Sequence, residues 1–482
     1  MFPESPLSAA SGALSPAEPA LRYTPFGRYS GQAAVIAPPE HVLSLSKGRH
    51  PCGLPVESAF RKQLVLSSFS ILTVITLCIS CSPEKEFPVD ESALGYFSQT
   101  YDESRDEFKM AAVELLKSRP LVQVGAIPVP SKTDKDLTID YLYLPPSGIP
   151  KRLLILTSGL HGIEGFTGSA VQRMFIKEFL PGLDNAETGV LVVHAINPWG
   201  FRHKRRVTEN NVDLNRNFSS SPDLYKTPNP GYAKLNGWLN PTSPADPYSM
   251  KNLLFKPGAA LMVAWYSMPP IRQAVLQGQY DFEKGIFYGG KAPEPQKALI
   301  DELLSKYCSN YKIVLLIDLH TGYGERSRLH LFGTPVKDTK VKKAVEKVFS
   351  GTTVDWGDTR DFYTNYGDFS IYAAEMITSM KAQLAGTDSG SRLVLPMAFE
   401  FGTMDSQTLL GSMDSIHNMV LENQGFHNGF DHPRLGCIVR GRFSEMFYPS
   451  SDGWRSETIR SSKTLLDKTL NIFIGQDLTV SR

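Results

Sequence analysis

From about residue 90 onward the chain carries two kinds of apolar pattern. LVQVGAIPV (121–129) and LTIDYLYL (137–144) alternate apolar and polar positions, as half-buried strands do. RLLILTSG (152–159), VLVVHAIN (190–197), KIVLLIDLH (312–320) and LVLPMAFEF (393–401) are near-continuous apolar runs, which predicts strands covered on both faces. RLHLFGT (328–334) adds a further strand. Helical spacing of apolar residues marks 97–118, 168–180, 294–307, 338–349 and 462–473. This alternation predicts a three-layer α/β/α domain with a mixed, largely parallel central sheet. The Pro- and Asn-rich stretch 219–290 interrupts the pattern, and is expected to be a long insertion over one edge of the sheet. Loops of that size commonly shape access to a site.

The region before residue 90 follows neither pattern. Residues 1–60 are rich in Pro, Ser, Gly and Ala and read as a disordered leader, or as translated sequence upstream of the true start. Arg61 and Lys62 then precede 18 uncharged residues, Gln63 to Ser80, most of them apolar. A basic start followed by an apolar stretch is the pattern of an export signal. It ends in Cys78-Ile79-Ser80-Cys81, which resembles the bacterial lipoprotein signal, with Cys81 as the lipidated residue. Cys78 stands where that pattern prefers Leu, so an uncleaved anchor and a plain signal peptide are the alternatives. Each of the three exports residues 82–482, within which 90–482 is expected to be a single domain.

Composition adds exclusions. Lys plus Arg is 50 and Asp plus Glu is 49, a balance that gives no footing for a nucleic-acid partner. Only two of the five cysteines, Cys308 and Cys437, lie in the body, and no CxxC pair occurs there, so a cysteine-rich zinc module is excluded. Those two either pair in an oxidising compartment or remain buried thiols.

Four short motifs carry candidate chemistry. In TSGLHGIEG, His161 and Glu164 stand on a glycine loop directly after an apolar strand, where open α/β sheets place ligands. With ten His in the chain, about half a His-x-x-Glu match arises by chance, so placement matters more than the match itself. NNVDLNRNF (210–218) sets Asp213, Asn215 and Arg216 close together, shortly after Arg202, Arg205 and Arg206. Guanidinium donors there suit a carboxylate or a developing oxyanion. IDLHTGYG puts His320 at a strand end, and AFEFGT puts Glu400 inside an apolar strand, where a carboxylate is costly unless partnered or used.

Taken in order, these motifs resemble the zinc carboxypeptidase superfamily, nearest to the branch of aspartoacylase and succinylglutamate desuccinylase. NNVDLNRNF and GQYDFEKGIFYGG (278–290) look like a bacterial subfamily within it. The resemblance spans about 150–405. It implies one zinc per chain, held by His161, Glu164 and His320 with one coordination position open for water. It implies that Asp213 orients His161, that Arg206 polarises the scissile carbonyl, and that Asn215 and Arg216 grip a substrate carboxylate. Glu400 matches the general base. Arg202 and Arg205 are alternatives to Arg206, and Tyr363, Tyr366 and Tyr372 are all candidates for an assisting tyrosine. His194, His203 and His330 read as structural or surface histidines.

The implied function is an exported zinc-dependent hydrolase that cleaves an amide next to a carboxylate, in a peptide or an N-acyl amino acid. Membrane contact would come through the lipid anchor. Two other classes compete: a surface binding lipoprotein without turnover, and a serine α/β-hydrolase. The latter lacks any G-x-S-x-G elbow in the chain.

Overall fold

The computed structural model describes residues 87–333, 338–356, 365–380 and 392–478. Its centre is an eight-stranded sheet: β1 (Gln123–Pro128), β2 (Thr138–Leu144), β3 (Arg152–Ser158), β4 (Thr188–His194), β5 (Ile313–Thr321), β6 (Leu329–Gly333), β7 (Val354–Trp356) and β8 (Leu393–Phe401). Their spatial order is β1-β2-β4-β3-β5-β8-β6-β7. The four inner strands β4, β3, β5 and β8 run parallel, while β1, β2 and β6 join antiparallel. β4 and β5 are buried along their whole length, which is why their sequences read as unbroken apolar runs.

Eleven helices of nine or more residues are present among the described residues: α1 (Tyr101–Leu115), α2 (Gly165–Glu178), α3 (Pro230–Leu239), α4 (Phe255–Tyr266), α5 (Met268–Leu276), α6 (Pro295–Cys308), α7 (Thr339–Val348), α8 (Phe369–Ser379), α9 (Leu409–Asn428), α10 (Pro433–Phe447) and α11 (Asp452–Gly475). α1, α2, α7 and α11 cover one face of the sheet, and α6 and α8 cover the other. The three-layer expectation therefore holds.

Boundaries moved where caps decide them. α1 starts at Tyr101, four residues after the expected point, because Thr100 and Glu103 form a reciprocal cap. The Thr100 hydroxyl accepts from the Glu103 N–H, and the Glu103 carboxylate accepts from the Gln99 N–H. α11 starts ten residues early, where Ser451 accepts from the Trp454 N–H.

The larger difference is the 219–290 segment. It is largely helical, holding α3, α4 and α5, and it stands over the carboxyl ends of the inner strands rather than over a sheet edge. Three of its nine Pro residues, Pro230, Pro269 and Pro270, sit in the first turns of α3 and α5, where a missing N–H costs nothing. Part of the Pro-richness there marks helix starts.

Cys308 is a free buried thiol on α6, so the pairing with Cys437 is not formed. Burial pushes that thiol up to about 12. The segment 61–81, Cys81 and Tyr363 lie outside the described residues. No helix among the described residues is long and apolar enough to cross a membrane.

Candidate metal centre

The loop after β3 is shaped by its glycines. Gly159 has φ +64°, in the left-handed region where a side chain is strained. A Cβ on Gly162 would lie 2.1 Å from the backbone carbon of Gly200, so only glycine permits this approach. The Gly162 and Ile163 N–H groups donate to the Arg206 and Arg205 carbonyls, at 3.0 and 2.9 Å. That pairing ties the His161–Glu164 turn to the basic loop that follows β4.

The turn delivers His161 and Glu164 to the end of β5, where His320 projects. One nitrogen or oxygen from each of the three lies within 4.8 Å of the others, and all three residues are buried. Both imidazoles are held the same way. His161 has Nδ1 2.9 Å from Glu164 Oε1 and Nε2 3.1 Å from Asp213 Oδ1. His320 has Nδ1 3.0 Å from Glu164 Oε2 and Nε2 2.6 Å from Asp318 Oδ2. Each ring thus turns Nδ1 toward the shared carboxylate and is fixed behind by an aspartate. Such an aspartate sets the tautomer and orientation of a metal-ligating histidine.

His161 Nδ1 is buried and makes no hydrogen bond despite its closeness to Glu164. A buried nitrogen aimed at a carboxylate without bonding it fits a donor pair converging on a cation. The residues present therefore fit a divalent metal, with two imidazoles and one carboxylate as donors.

The surrounding charges are balanced. Burial works to raise the Glu164 carboxyl, but His161 and His320 outweigh it and hold it well below the usual range. Burial likewise opposes ionisation of Asp213, yet Arg206 and His161 keep it well below its ordinary value. Burial alone would lower His320, but Asp318 and Glu164 hold it well above the usual imidazole range.

Glu400 lies beside His320, paired with it in register on β8. Its Oε2 is buried and has no hydrogen-bond partner. Burial pushes its carboxyl up to about 8, with Glu164 adding to the rise and His320 and Arg206 opposing it. A nearby metal cation would pull it down further.

The structure separates the three arginines. Arg206 donates from Nε to Asp213 Oδ2 and from Nη1 to Glu164 Oε1, both at 3.1 Å, and lines the cavity. Arg202 is held by Asp102, Asp134 and Asp136 at the surface. Arg205 is held by Glu422 and lies 3.6 Å over the Phe426 ring. Neither lines the cavity.

Arg216 is buried, with Nε and Nη2 donating to the Leu276 carbonyl and Nη1 to the Asn215 carbonyl. Asn215 Oδ1 accepts from the Phe369 N–H. Both residues line the same cavity as His161 and Glu400. The 278–290 stretch buttresses their loop: the Tyr280 hydroxyl donates to the Arg216 carbonyl, and the Asp213 N–H donates to the Tyr288 carbonyl.

Neither described tyrosine candidate reaches the site. Tyr372 donates to Asp301 under α6, and Tyr366 lies partly exposed outside the cavity. Among the described residues the cavity tyrosine is instead Tyr323, in the HTGYG loop directly after His320. The sequence reading also passed over Asp318. Its signal was the period-two spacing in IDLH, which puts Asp318 and His320 on one face of β5. His330 accepts from the Glu325 N–H, and His194 is enclosed between Ser104, Ser169 and Phe108, so both stay structural.

The fold is similar to several solved structures at low identity. Bovine thrombin-activatable fibrinolysis inhibitor in complex with tick carboxypeptidase inhibitor is 12% identical at a TM-score of 0.37, covering 68% of this chain and 99% of that one. Carboxypeptidase A from Helicoverpa armigera is 15% identical at 0.32, covering 72% and 73%. An aspartoacylase family protein from Mesorhizobium loti is 17% identical at 0.30, covering 64% and 67%. No curated protein matches the sequence. Residues 97–461 match the family model described as "Protein of unknown function (DUF2817)", and the chain belongs to that family.

Proposed function

We propose that the protein is a zinc-dependent hydrolase that cleaves an amide bond adjacent to a carboxylate. The observation that carries this reading is the convergence of His161, Glu164 and His320 beside Glu400, a carboxyl with an unpartnered buried oxygen. A surface binding protein has no use for a base held in that position.

When bound, zinc supplies Lewis-acid activation of water and of the scissile carbonyl. The chain's own residues do the rest. Asp213 and Asp318 keep the two imidazoles oriented with Nδ1 inward. Arg206, lining the cavity at the edge of the cluster, supplies guanidinium density for negative charge developing on the carbonyl oxygen. Glu400 accepts a proton from the attacking water and returns it to the departing nitrogen. Asn215 and Arg216 hold the carboxylate that sets the amide in line.

The test is a screen of peptides and N-acyl amino acids with the full-length protein, metal-loaded and metal-stripped. Hydrolysis that requires a carboxylate next to the amide, and vanishes on chelation, supports the reading. Hydrolysis that survives full metal removal refutes it.

We further propose that the protein is exported and anchored through Cys81, on the strength of the 61–81 sequence pattern. Replacing Cys81 by Ala is expected to move the protein out of the membrane fraction. Unchanged partitioning and mobility would overturn the anchor.

A further inference from the structure

The cavity that opens from Glu400 and Arg216 has a volume of about 210 Å³, and most of its wall is apolar. Two groups of helices build that wall: α3, α4 and α5 from the 219–290 segment, and α9 from beyond β8. Along α4, the lining residues run from Phe255 to Val263. At a 1.5 Å rise per residue this is about 12 Å of wall, longer than any single amino-acid side chain. Met413, Ile416 and Met419 face it from α9.

Three features make this wall a receptor for a flexible apolar chain. Five of the thirteen methionines line it: Met262, Met268, Met413, Met419 and Met446. Unbranched thioethers repack around variable apolar ligands at little cost. Next, Trp238, Phe255 and His417 form a three-ring stack, with centroids 4.0 and 4.4 Å apart. Burial lowers His417 to about 4, so the stack is uncharged at neutral pH. Finally, residues 257–271 contain 15 consecutive uncharged residues, and α4 is apolar on both faces, with Leu261 and Trp265 outside. A helix that only roofed a polar site would show a polar outer face.

We propose that the substrate is an amphiphile, an N-acyl amino acid whose long alkyl chain lies along α4 and α9 while its carboxylate meets Arg216. This rests on the amide-hydrolase reading and names the substrate class of that site. The length of the wall favours an alkyl chain over a single apolar side chain. Met262 is the specificity-determining residue at the middle of α4. Hydrolysis breaks the amide C–N bond, adds hydroxyl to the acyl carbon and hydrogen to nitrogen, and yields a fatty acid and a free amino acid.

The experiment uses the full chain, zinc-loaded and held in lipid nanodiscs. Rates are compared on N-dodecanoyl and N-acetyl forms of the same amino acid, and on dipeptides ending in Phe or Ala. Binding of dodecanoate and butyrate is measured separately by titration calorimetry, against empty nanodiscs. The expected result is a kcat/KM at least about tenfold higher for the dodecanoyl than for the N-acetyl substrate, a ratio that collapses toward one in Met262→Glu and is reduced in the milder Met262→Gln. Equal rates for both acyl lengths would overturn the proposal. A strong Phe-over-Ala preference without acyl-length dependence would also overturn it, assigning the wall to a side chain. If zinc is fully loaded and no amide is cleaved, the hydrolase reading fails, and calorimetry still decides the wall: dodecanoate binding weakened by Met262→Glu supports it, and no binding refutes it.

Discussion

The strand ends and the helical roof above them are built on opposite terms. At the strand ends, His161, Glu164, His320, Asp213, Asp318 and Arg206 form a closed set of polar contacts between about 2.6 and 3.1 Å, anchored on β3 and β5. The roof made by α3, α4 and α5 meets the polar residues through the Leu276 carbonyl, which accepts from Arg216, and places Arg272 on the cavity. Apart from Arg272 its inner face is aliphatic, Met and aromatic, and its outer face leaves Trp265 and Leu261 in solvent. Polar networks demand fixed geometry because an unpaired buried member is expensive. Apolar walls tolerate rearrangement, since dispersion is non-directional. Under the proposed hydrolase reading, chemistry sits on the sheet and selection of substrate sits on the roof.

The sharpest break of that comparison is removal of a donor. His320→Ala is expected to drop metal content from about one ion per chain to near none and to abolish hydrolysis, read by elemental analysis after gel filtration. Full occupancy in that variant would mean the strand-end set is not the metal centre. Glu400→Gln comes next. It keeps the shape but cannot accept a proton, so metal content stays and turnover falls by roughly two to four orders of magnitude. Loss of metal instead would recast Glu400 as a ligand.

A smaller effect distinguishes the ligands from their supports. Asp318→Asn leaves a group of the same shape behind His320, and metal affinity is expected to fall about 10- to 100-fold in a chelator competition. No change would show that strand packing alone orients the ring.

The pH response isolates Glu400 in metal-free protein. Its folded value, about 8, lies above the ordinary 4.5, so the folded state binds the extra proton across that window. Stability from this group is full below about pH 4.5 and is lost as pH rises through about 8. Urea midpoints at pH 5 and pH 8 are expected to fall more in the parent than in Glu400→Gln. Equal slopes would contradict a raised carboxyl.

The smallest effect belongs to the roof's outer face. Trp265 is 79% exposed, so Trp265→Ser is expected to change stability by less than about 0.5 kcal/mol and leave metal content alone. A large loss would show that the roof is held by contacts on that face.

What the sequence determined by itself was the local part. Apolar runs name the inner strands because a strand buried on both faces has no room for polar residues, as β4 and β5 show. The glycine loop after β3 and the DLH end of β5 marked His161, Glu164 and His320, since loops at strand ends are where an α/β sheet exposes side chains. Tertiary structure decided what depends on distant partners. Arg206 is set apart from its neighbours only because Arg202 meets Asp102, Asp134 and Asp136, and Arg205 meets Glu422, more than 200 residues away. Tyr323 became the cavity tyrosine because the loop after β5 turns inward, which no spacing announces. The 219–290 segment carries Pro and Asn that read as loop in isolation. Asn229, Pro230, Pro269 and Pro270 become helix starts only because α3, α4 and α5 bury their apolar sides against one another and against α9, and that packing exists only in three dimensions.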